Sequence, residues 1–406
     1  MKAEQPLADL RAALADLCAA VPPAHAEAVA GARARLDRLT KPQGSLGRIE
    51  DLIARLAGST GQICPPVAQP AILLAAADHG VAAEGVSAFP QAVTAQMVQN
   101  YLAGGAAINA LAAAAGARLL VVDAGVATEL PEATGLRRLG IRRGSGNIAR
   151  EPAMSEGEAL RALLAGAALA SELIDAGADL IALGEMGIAN TTPAAALTSA
   201  FTGAPPARTV GRGTGIDDDG LARKRQVVEL ALERVDGGRW TVDGGRWTVD
   251  GGRWTVDERQ AQNPPASVVS RQSSVVGRRS SVVEALMELG GLEIAVLAGA
   301  TLAAAARRVP VLLDGYITTA AALVAAGLAP AARDHMLASH CSAEPGHALA
   351  LAHLGLSEER GVGPLLRLEL RLGEGSGAAL ALPLLRGAAQ LMRSMATFDQ
   401  AGVAEA

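Results

Sequence analysis

Ala71-Ile72-Leu73-Leu74-Ala75-Ala76-Ala77 runs without a polar break straight into Asp78-His79-Gly80. A strand with one wet face alternates apolar and polar residues, whereas a strand buried on both faces reads as a continuous apolar run. The same pattern returns four times: Leu119–Val122 before Asp123-Ala124-Gly125, Leu180–Leu183 before Gly184-Glu185-Met186-Gly187, Val311–Leu313 before Asp314-Gly315, and Met336–Ala338 before Ser339-His340. Stretches rich in Ala and Leu, such as Glu158–Ala176 and Thr318–Ala326, are long enough for helices between them. Strand, loop and helix in repetition predict an α/β fold with a mainly parallel sheet and helices on both faces. Ligands in such sheets sit outside the carboxyl ends of the strands. Asp78, Asp123, Glu185 and Asp314 all fall there.

The chain has 406 residues, of which 50% are apolar and only 2% aromatic, with 89 alanines and 46 glycines. A core with so few rings must be built from Ala, Leu, Val and Ile packed at short range. A charged fraction of 19% at a net charge of −5 lies far from the disordered regime and argues against non-specific binding to nucleic acid or anionic membranes. Cys18, Cys64 and Cys341 are odd in number and far apart, which predicts free thiols in a reducing compartment. Arg11 and Asp16 interrupt the Ala/Leu-rich start, so that segment reads as an amphipathic helix rather than a signal peptide. The uncharged stretch 315–332 is too short and too weakly apolar for a membrane span. A cytoplasmic protein is expected.

Residues 1–39 and 378–406 carry apolar residues at helical spacing and are expected to pair as a small helical domain, leaving 40–377 as the large α/β domain. The segment 235–281 breaks the pattern. Gly-Gly-Arg-Trp-Thr-Val-Asp occurs three times unchanged, at 237–243, 244–250 and 251–257, and carries all three Trp of the chain. Two glycines per seven residues disfavour a helix. A flexible surface insertion is expected, with a small β-hairpin structure as the other option. The segment holds seven Arg against four Asp and one Glu, so the acidic balance belongs to the rest of the chain.

Three glycine-rich stretches carry candidate chemistry. Val210-Gly211-Arg212-Gly213-Thr214-Gly215 precedes a helix with Arg223, Lys224 and Arg225. Glycines let backbone N–H groups approach a phosphate, and a helix N-terminus with nearby cations favours an anion, though a simple tight turn fits these residues equally well. Gly184-Glu185-Met186-Gly187-Ile188-Ala189-Asn190-Thr191-Thr192 puts a carboxylate at a strand-to-helix junction, with Thr191 or Thr192 as a helix cap or a ligand contact. Arg371-Leu372-Gly373-Glu374-Gly375-Ser376-Gly377 places one carboxylate between glycines ahead of an Ala-rich helix, which suits close approach of a substrate to a general base. His340, Glu344 and His347 match no protease zinc motif and read as a polar loop.

The chain resembles the nicotinate-nucleotide–dimethylbenzimidazole phosphoribosyltransferase family of cobalamin biosynthesis. Leu39-Thr40-Lys41-Pro42-Gln43-Gly44-Ser45-Leu46-Gly47-Arg48 carries the resemblance, with Asp78-His79-Gly80-Val81 and Glu84-Gly85-Val86-Ser87. So do Arg142-Arg143-Gly144 with Asn147, Ala149–Met154, the Glu185, Gly213 and Glu374 motifs, and Ser342-Ala343-Glu344-Pro345-Gly346-His347. These stretches come in the family's order and span nearly everything except 235–281.

The resemblance implies a doubly wound, Rossmann-like parallel sheet with a small helical domain, working as a homodimer. It implies transfer of phosphoribose from nicotinate mononucleotide to 5,6-dimethylbenzimidazole, giving α-ribazole 5′-phosphate and nicotinate. Glu374 would be the general base and Glu185 the second carboxylate at the reacting centre. Gly213 and Lys224 would bind phosphate, and Gly187, Thr191 and Gly211 would belong to the substrate-binding set. Phe89, Met97 and Met186 would line the pocket for the base. No metal or redox cofactor is needed for this transfer. Two other readings compete: a non-catalytic nucleotide-binding regulator of the same fold, and an interaction protein that uses Trp240, Trp247 and Trp254 as anchors. The glycine-flanked Glu374 argues against a mere binder, which would need no base.

Overall fold

A computed structural model of the chain describes residues 5–236, 247–250, 253–256, 275–358 and 362–404. All five apolar runs become strands. In chain order the strands are β1 (Pro70–Ala77), β2 (Arg118–Gly125), β3 (Leu136–Arg138), β4 (Leu180–Met186), β5 (Trp247–Asp250), β6 (Arg253–Val256), β7 (Val311–Leu313) and β8 (Met336–Ala338). Six of them form one sheet in the order β3-β2-β1-β4-β7-β8, with every pair parallel. Counting only its own strands, the sheet runs 3-2-1-4-5-6, the doubly wound dinucleotide-fold order. Strand order reverses between β1 and β4, and the crevice at that switch point is the default ligand site. The short edge strand β3, Leu-Arg-Arg, has no apolar run to announce it and is largely exposed.

β1 shows why its run is continuous. Ala71, Leu73, Ala75 and Ala77 enter one core, while Ile72, Leu74 and Ala76 enter the other, on the opposite face. The first core holds the helices Glu156–Asp175, Leu292–Ala306 and Tyr316–Leu328; the second holds Ala26–Arg38, Arg48–Thr60 and Ser376–Ser394. Glycine and alanine make the first core possible. A Cβ at Gly166 would collide with the Val296 carbonyl, and one at Gly299 with that of Leu163, so Glu156–Asp175 and Leu292–Ala306 touch backbone to backbone.

The chain ends meet through Ala26–Arg38 and Ser376–Ser394: Arg35 Nε donates to the Met392 carbonyl at 2.7 Å, and Leu39 bridges to Thr397. The first helix, Leu7–Ala19, instead sends Leu10, Leu14 and Cys18 into the core on the other side of the sheet. Within the heptad repeats, β5 and β6 pair antiparallel, Trp247 opposite Val256 and Asp250 opposite Arg253. The first repeat copy and most of the Pro/Ser-rich stretch lie outside the described residues. The helix Val275–Leu289 begins inside the 235–281 segment and leads back into the sheet domain. Among the described residues no helix is long and apolar enough to cross a membrane.

Candidate functional site

At the switch point β1 ends in Asp78-His79 and β4 in Glu185-Met186-Gly187. Asp78 Oδ2 accepts the Ala127 N–H at 2.8 Å, and His79 Nε2 meets Glu293 Oε1 at 2.8 Å beneath the crevice. Thr94 Oγ1, from the helix Ala92–Ala103, accepts the Ile188 N–H at 3.1 Å and fixes the chain leaving β4. A Cβ at Gly187 would lie 2.5 Å from the Ala77 carbonyl, so only glycine lets the two strand ends approach this closely.

The Glu374 loop lies over the ends of β4 and β7. The Glu374 N–H donates to the Glu185 carbonyl at 3.2 Å, and the turn closes with Ser376 Oγ donating to the Gly373 carbonyl at 2.7 Å. Asp314, at the end of β7, accepts N–H groups from Gly375 at 3.2 Å and Ala378 at 2.9 Å, which anchors the start of the helix Ser376–Ser394. Glu374 itself has φ of +65°. A left-handed conformation costs a residue with a Cβ roughly 1–2 kcal/mol, and such strain persists where the surroundings dictate it, typically at functional sites. Gly373 on one side is equally constrained, since a Cβ there would strike the Glu185 carboxylate.

Three buried carboxyls converge here: Glu374, Glu185 and Asp314 are 5%, 7% and 1% exposed. Burial pushes the Glu185 carboxyl up to about 8; Asn190, which donates to Glu185 Oε2, works against the rise, while Asp314, Glu293 and Glu374 add to it. Burial also pushes Asp314 up to about 7, against the N–H groups it accepts. Glu374 is raised by burial, opposed by the Ile108 N–H donated to its Oε2 at 3.4 Å. The buried Tyr101 hydroxyl faces the same carboxylate and also opposes the rise, though its geometry stops short of a full hydrogen bond. A carboxyl raised towards neutrality can take a proton at working pH.

The second group of residues gathers beside it. Thr191 opens the helix Thr191–Thr202, and Lys224 reaches across from the helix Asp218–Asp236. Lys224 Nζ donates to Thr191 Oγ1 at 2.7 Å and to the Gly211 carbonyl at 3.1 Å. It is fully buried, and burial lowers it to about 8 against the attraction of Glu344. Gly213, at φ +52°, has room for no side chain: a Cβ would lie 2.8 Å from Thr191 Oγ1 and 3.1 Å from Lys224 Nζ. Its N–H donates to Glu344 Oε1 at 2.8 Å.

The sequence motifs thus assemble into two adjoining clusters, Glu374 with Glu185 and Gly187, and Lys224 with Thr191, Gly211 and Gly213. The apolar residues divide. Met97 and Met186 are half-buried against the same core, whereas Phe89 is 53% exposed on the loop after β1. The stretch read as a polar loop does run as a loop from Cys341 to Glu344, but His340, Glu344 and His347 within and around it are buried. His347, in the helix Pro345–His353, bonds Thr319 at 2.9 Å and accepts the Ser342 N–H at 2.8 Å, while the Glu344 carboxylate turns inward to Gly213. Among the described residues no three His, Cys, Asp or Glu side chains are grouped to hold a metal ion.

Asp314 is legible in the sequence as a strand-end residue but its partners are not, and neither Tyr101 nor Asn190 stands out there as a functional side chain. Asn190 was within reach of inference, five residues after Glu185. Tyr101 sits in a helix with nothing local to distinguish it from core.

Comparison with known proteins converges on one group. The phosphoribosyltransferase family DBI_PRT matches residues 21–244 and 251–403. A nicotinate-nucleotide–dimethylbenzimidazole phosphoribosyltransferase from Chloroflexus aurantiacus is 47% identical over 383 residues, 94% of this chain and 96% of the relative. One from Deinococcus radiodurans is 48% identical over 397 residues, 96% of each chain. A crystal structure of CobT from Thermus thermophilus superposes with a TM-score of 0.79 at 45% identity, covering 94% of this chain and all of that one.

Proposed function

Because the chain belongs to the DBI_PRT phosphoribosyltransferase family, we propose that it transfers phosphoribose from nicotinate mononucleotide to 5,6-dimethylbenzimidazole, releasing nicotinate and α-ribazole 5′-phosphate. The observation that carries this reading is Glu374, a buried carboxylate held at positive φ against the end of β4. One benzimidazole nitrogen gives its proton to Glu374 as the other attacks C1′ of the ribose from the face opposite nicotinate. The bond from C1′ to the pyridine nitrogen breaks, and its electron pair stays on that nitrogen, discharging the pyridinium. Nicotinate leaves neutral at its ring, so the departing side needs no acid. Glu374 then passes its proton to solvent.

Glu185 lies beneath the reacting centre. Its carboxyl is raised to about 8 by burial, and the pyridinium ring of the donor draws it back towards the charged form. Lys224 places a positive charge behind the Gly211–Gly213 loop and the Thr191 helix start, where the donor's phosphate is taken up. Met186, Met97 and Phe89 are assigned to the aromatic base, beside the close approach of the strand ends that Gly187 allows. The enzyme is proposed to act in the cytoplasm, as the odd number and wide spacing of its cysteines suggest, and as a homodimer, as the family resemblance implies; light scattering coupled to gel filtration measures the latter. The reading as a whole is tested by mixing purified protein with nicotinate mononucleotide and following nicotinate release. Release that depends on dimethylbenzimidazole, and that falls about 10²–10⁴-fold in Glu374→Gln, is expected. Release indifferent to the base would defeat the assignment.

A further inference from the structure

The loop Gly211–Gly215 touches both halves of the acceptor site. On one side Thr214 Oγ1 accepts the Ala88 N–H at 3.0 Å and shares a hydrogen bond with Ser87 Oγ at 3.1 Å. Ser87 Oγ in turn accepts the Phe89 N–H at 3.3 Å, so two successive bonds lead from the loop to the backbone that carries the Phe89 ring. Arg223, one residue before Lys224, adds a third tie by donating to the Gly85 carbonyl at 3.2 Å. On the other side Arg371 donates to the Gly213 carbonyl at 3.1 Å. Three residues later stands Glu374. The loop is therefore the common support of an exposed aromatic side chain and of the glycine-rich turn that holds the base.

Gly213 is the pivot of this arrangement. Its N–H is bound to Glu344, its carbonyl to Arg371, and its Cα packs against Thr191 and Lys224. A phosphate drawn to Lys224 would meet Glu344 in the same neighbourhood, and the bonds of Thr214 and Arg371 are the routes from that loop to Phe89 and to the turn before Glu374.

We propose that Thr214 and Arg371 are positioning residues that couple the donor's phosphate to the acceptor base, so that filling the phosphate cradle raises affinity for dimethylbenzimidazole. The proposal rests on the reading of Gly211, Gly213 and Lys224 as the phosphate site. Coupling of this kind is reciprocal, so the base tightens the donor by the same factor. Links made of single hydrogen bonds at or near the surface limit that factor to roughly threefold to tenfold.

The test is calorimetric titration of the full chain with dimethylbenzimidazole, alone and with saturating ribose 5-phosphate, which has the phosphate but no leaving group. The wild type is expected to bind the base roughly threefold to tenfold more tightly with ribose 5-phosphate present. Thr214→Val removes the hydroxyl on an exposed loop, and is expected to cut the enhancement to the share carried by the Arg371 link while ribose 5-phosphate still binds within about twofold of wild type. Thr214→Ser keeps the hydroxyl and restores the enhancement. An undiminished enhancement in Thr214→Val, or none in an active wild type, overturns the coupling. A wild type that releases no nicotinate in the presence of base overturns the underlying reading of the site instead.

Discussion

Glu374 donates its backbone N–H to the carbonyl of Glu185 at 3.2 Å, so the two carboxylates proposed for the reaction belong to one hydrogen-bonded unit. Strand β4 supplies one and the glycine-rich turn the other, and Asp314 pins that turn from β7. Changing the chemistry of one carboxylate should therefore leave the geometry of the other intact. Glu374→Gln keeps shape and hydrogen-bond capacity but takes no proton. Its turnover is expected to fall about 10²–10⁴-fold, the usual contribution of a general base, with the melting temperature preserved. Stopped assays of nicotinate release check this, and near-full activity would remove Glu374 from the role.

Glu185 makes a prediction about stability. Its folded-state value near 8 lies above the ordinary 4.5, so the folded chain holds a proton that the unfolded chain gives up. Stability from this group is complete below about pH 4.5 and is lost as pH rises through 8. Asp314, raised to about 7, acts in the same direction over a lower window. Glu185→Gln removes the first titration and retains an acceptor for Asn190. Relative to wild type, the variant is expected to match in melting temperature near pH 4 and to melt higher by pH 9, while losing activity. Parallel melting curves across that range would contradict the raised value.

Lys224 works with the opposite sign. Burial lowers it to about 8 from 10.5, so between those values the unfolded chain binds the proton that the folded one has shed, and stability rises with pH there. Donor binding runs the other way, since only the ammonium attracts phosphate. Affinity for nicotinate mononucleotide is expected to weaken as pH rises past 8. Lys224→Met should weaken it roughly 10- to 100-fold at pH 7, the worth of a charge-assisted hydrogen bond, and should flatten the pH dependence. Titration at pH 7 and pH 9 separates the two, and a variant that keeps the wild-type slope would exclude Lys224 as its source.

The sheet was legible because burial on both faces leaves a one-dimensional trace. Ala71–Ala77 and Leu180–Leu183 are continuous runs in the sequence and buried strands in the fold. β3 left no such trace, since an exposed edge strand of Leu-Arg-Arg has nothing to bury. Glu374 and Glu185 could be singled out by the glycines around them, which record close backbone approach. Partnerships across the chain could not: Asp314 lies 64 residues from Ala378, and Lys224 lies 33 from Thr191. The burial of Glu344 and His347 left no trace for the same reason: it depends on Gly213 and Thr319, which no local pattern brings near.

Phe89 gives the sharpest separation of binding from folding. It is 53% exposed, so its ring contributes little to the core, and Phe89→Ala is expected to change stability by no more than about 0.5 kcal/mol. The same exposure leaves the ring free to lie against an aromatic acceptor. Losing an aromatic pair of that kind costs roughly 0.5–1.5 kcal/mol beyond simple area burial, which is about a threefold to tenfold rise in KM for dimethylbenzimidazole. Turnover at saturating base should hold, because Phe89 touches no reacting atom. KM for nicotinate mononucleotide should shift less than KM for the base. Steady-state kinetics on Phe89→Ala, run beside a thermal melt, read all three quantities, and an unchanged KM for the base would place the acceptor elsewhere in the crevice.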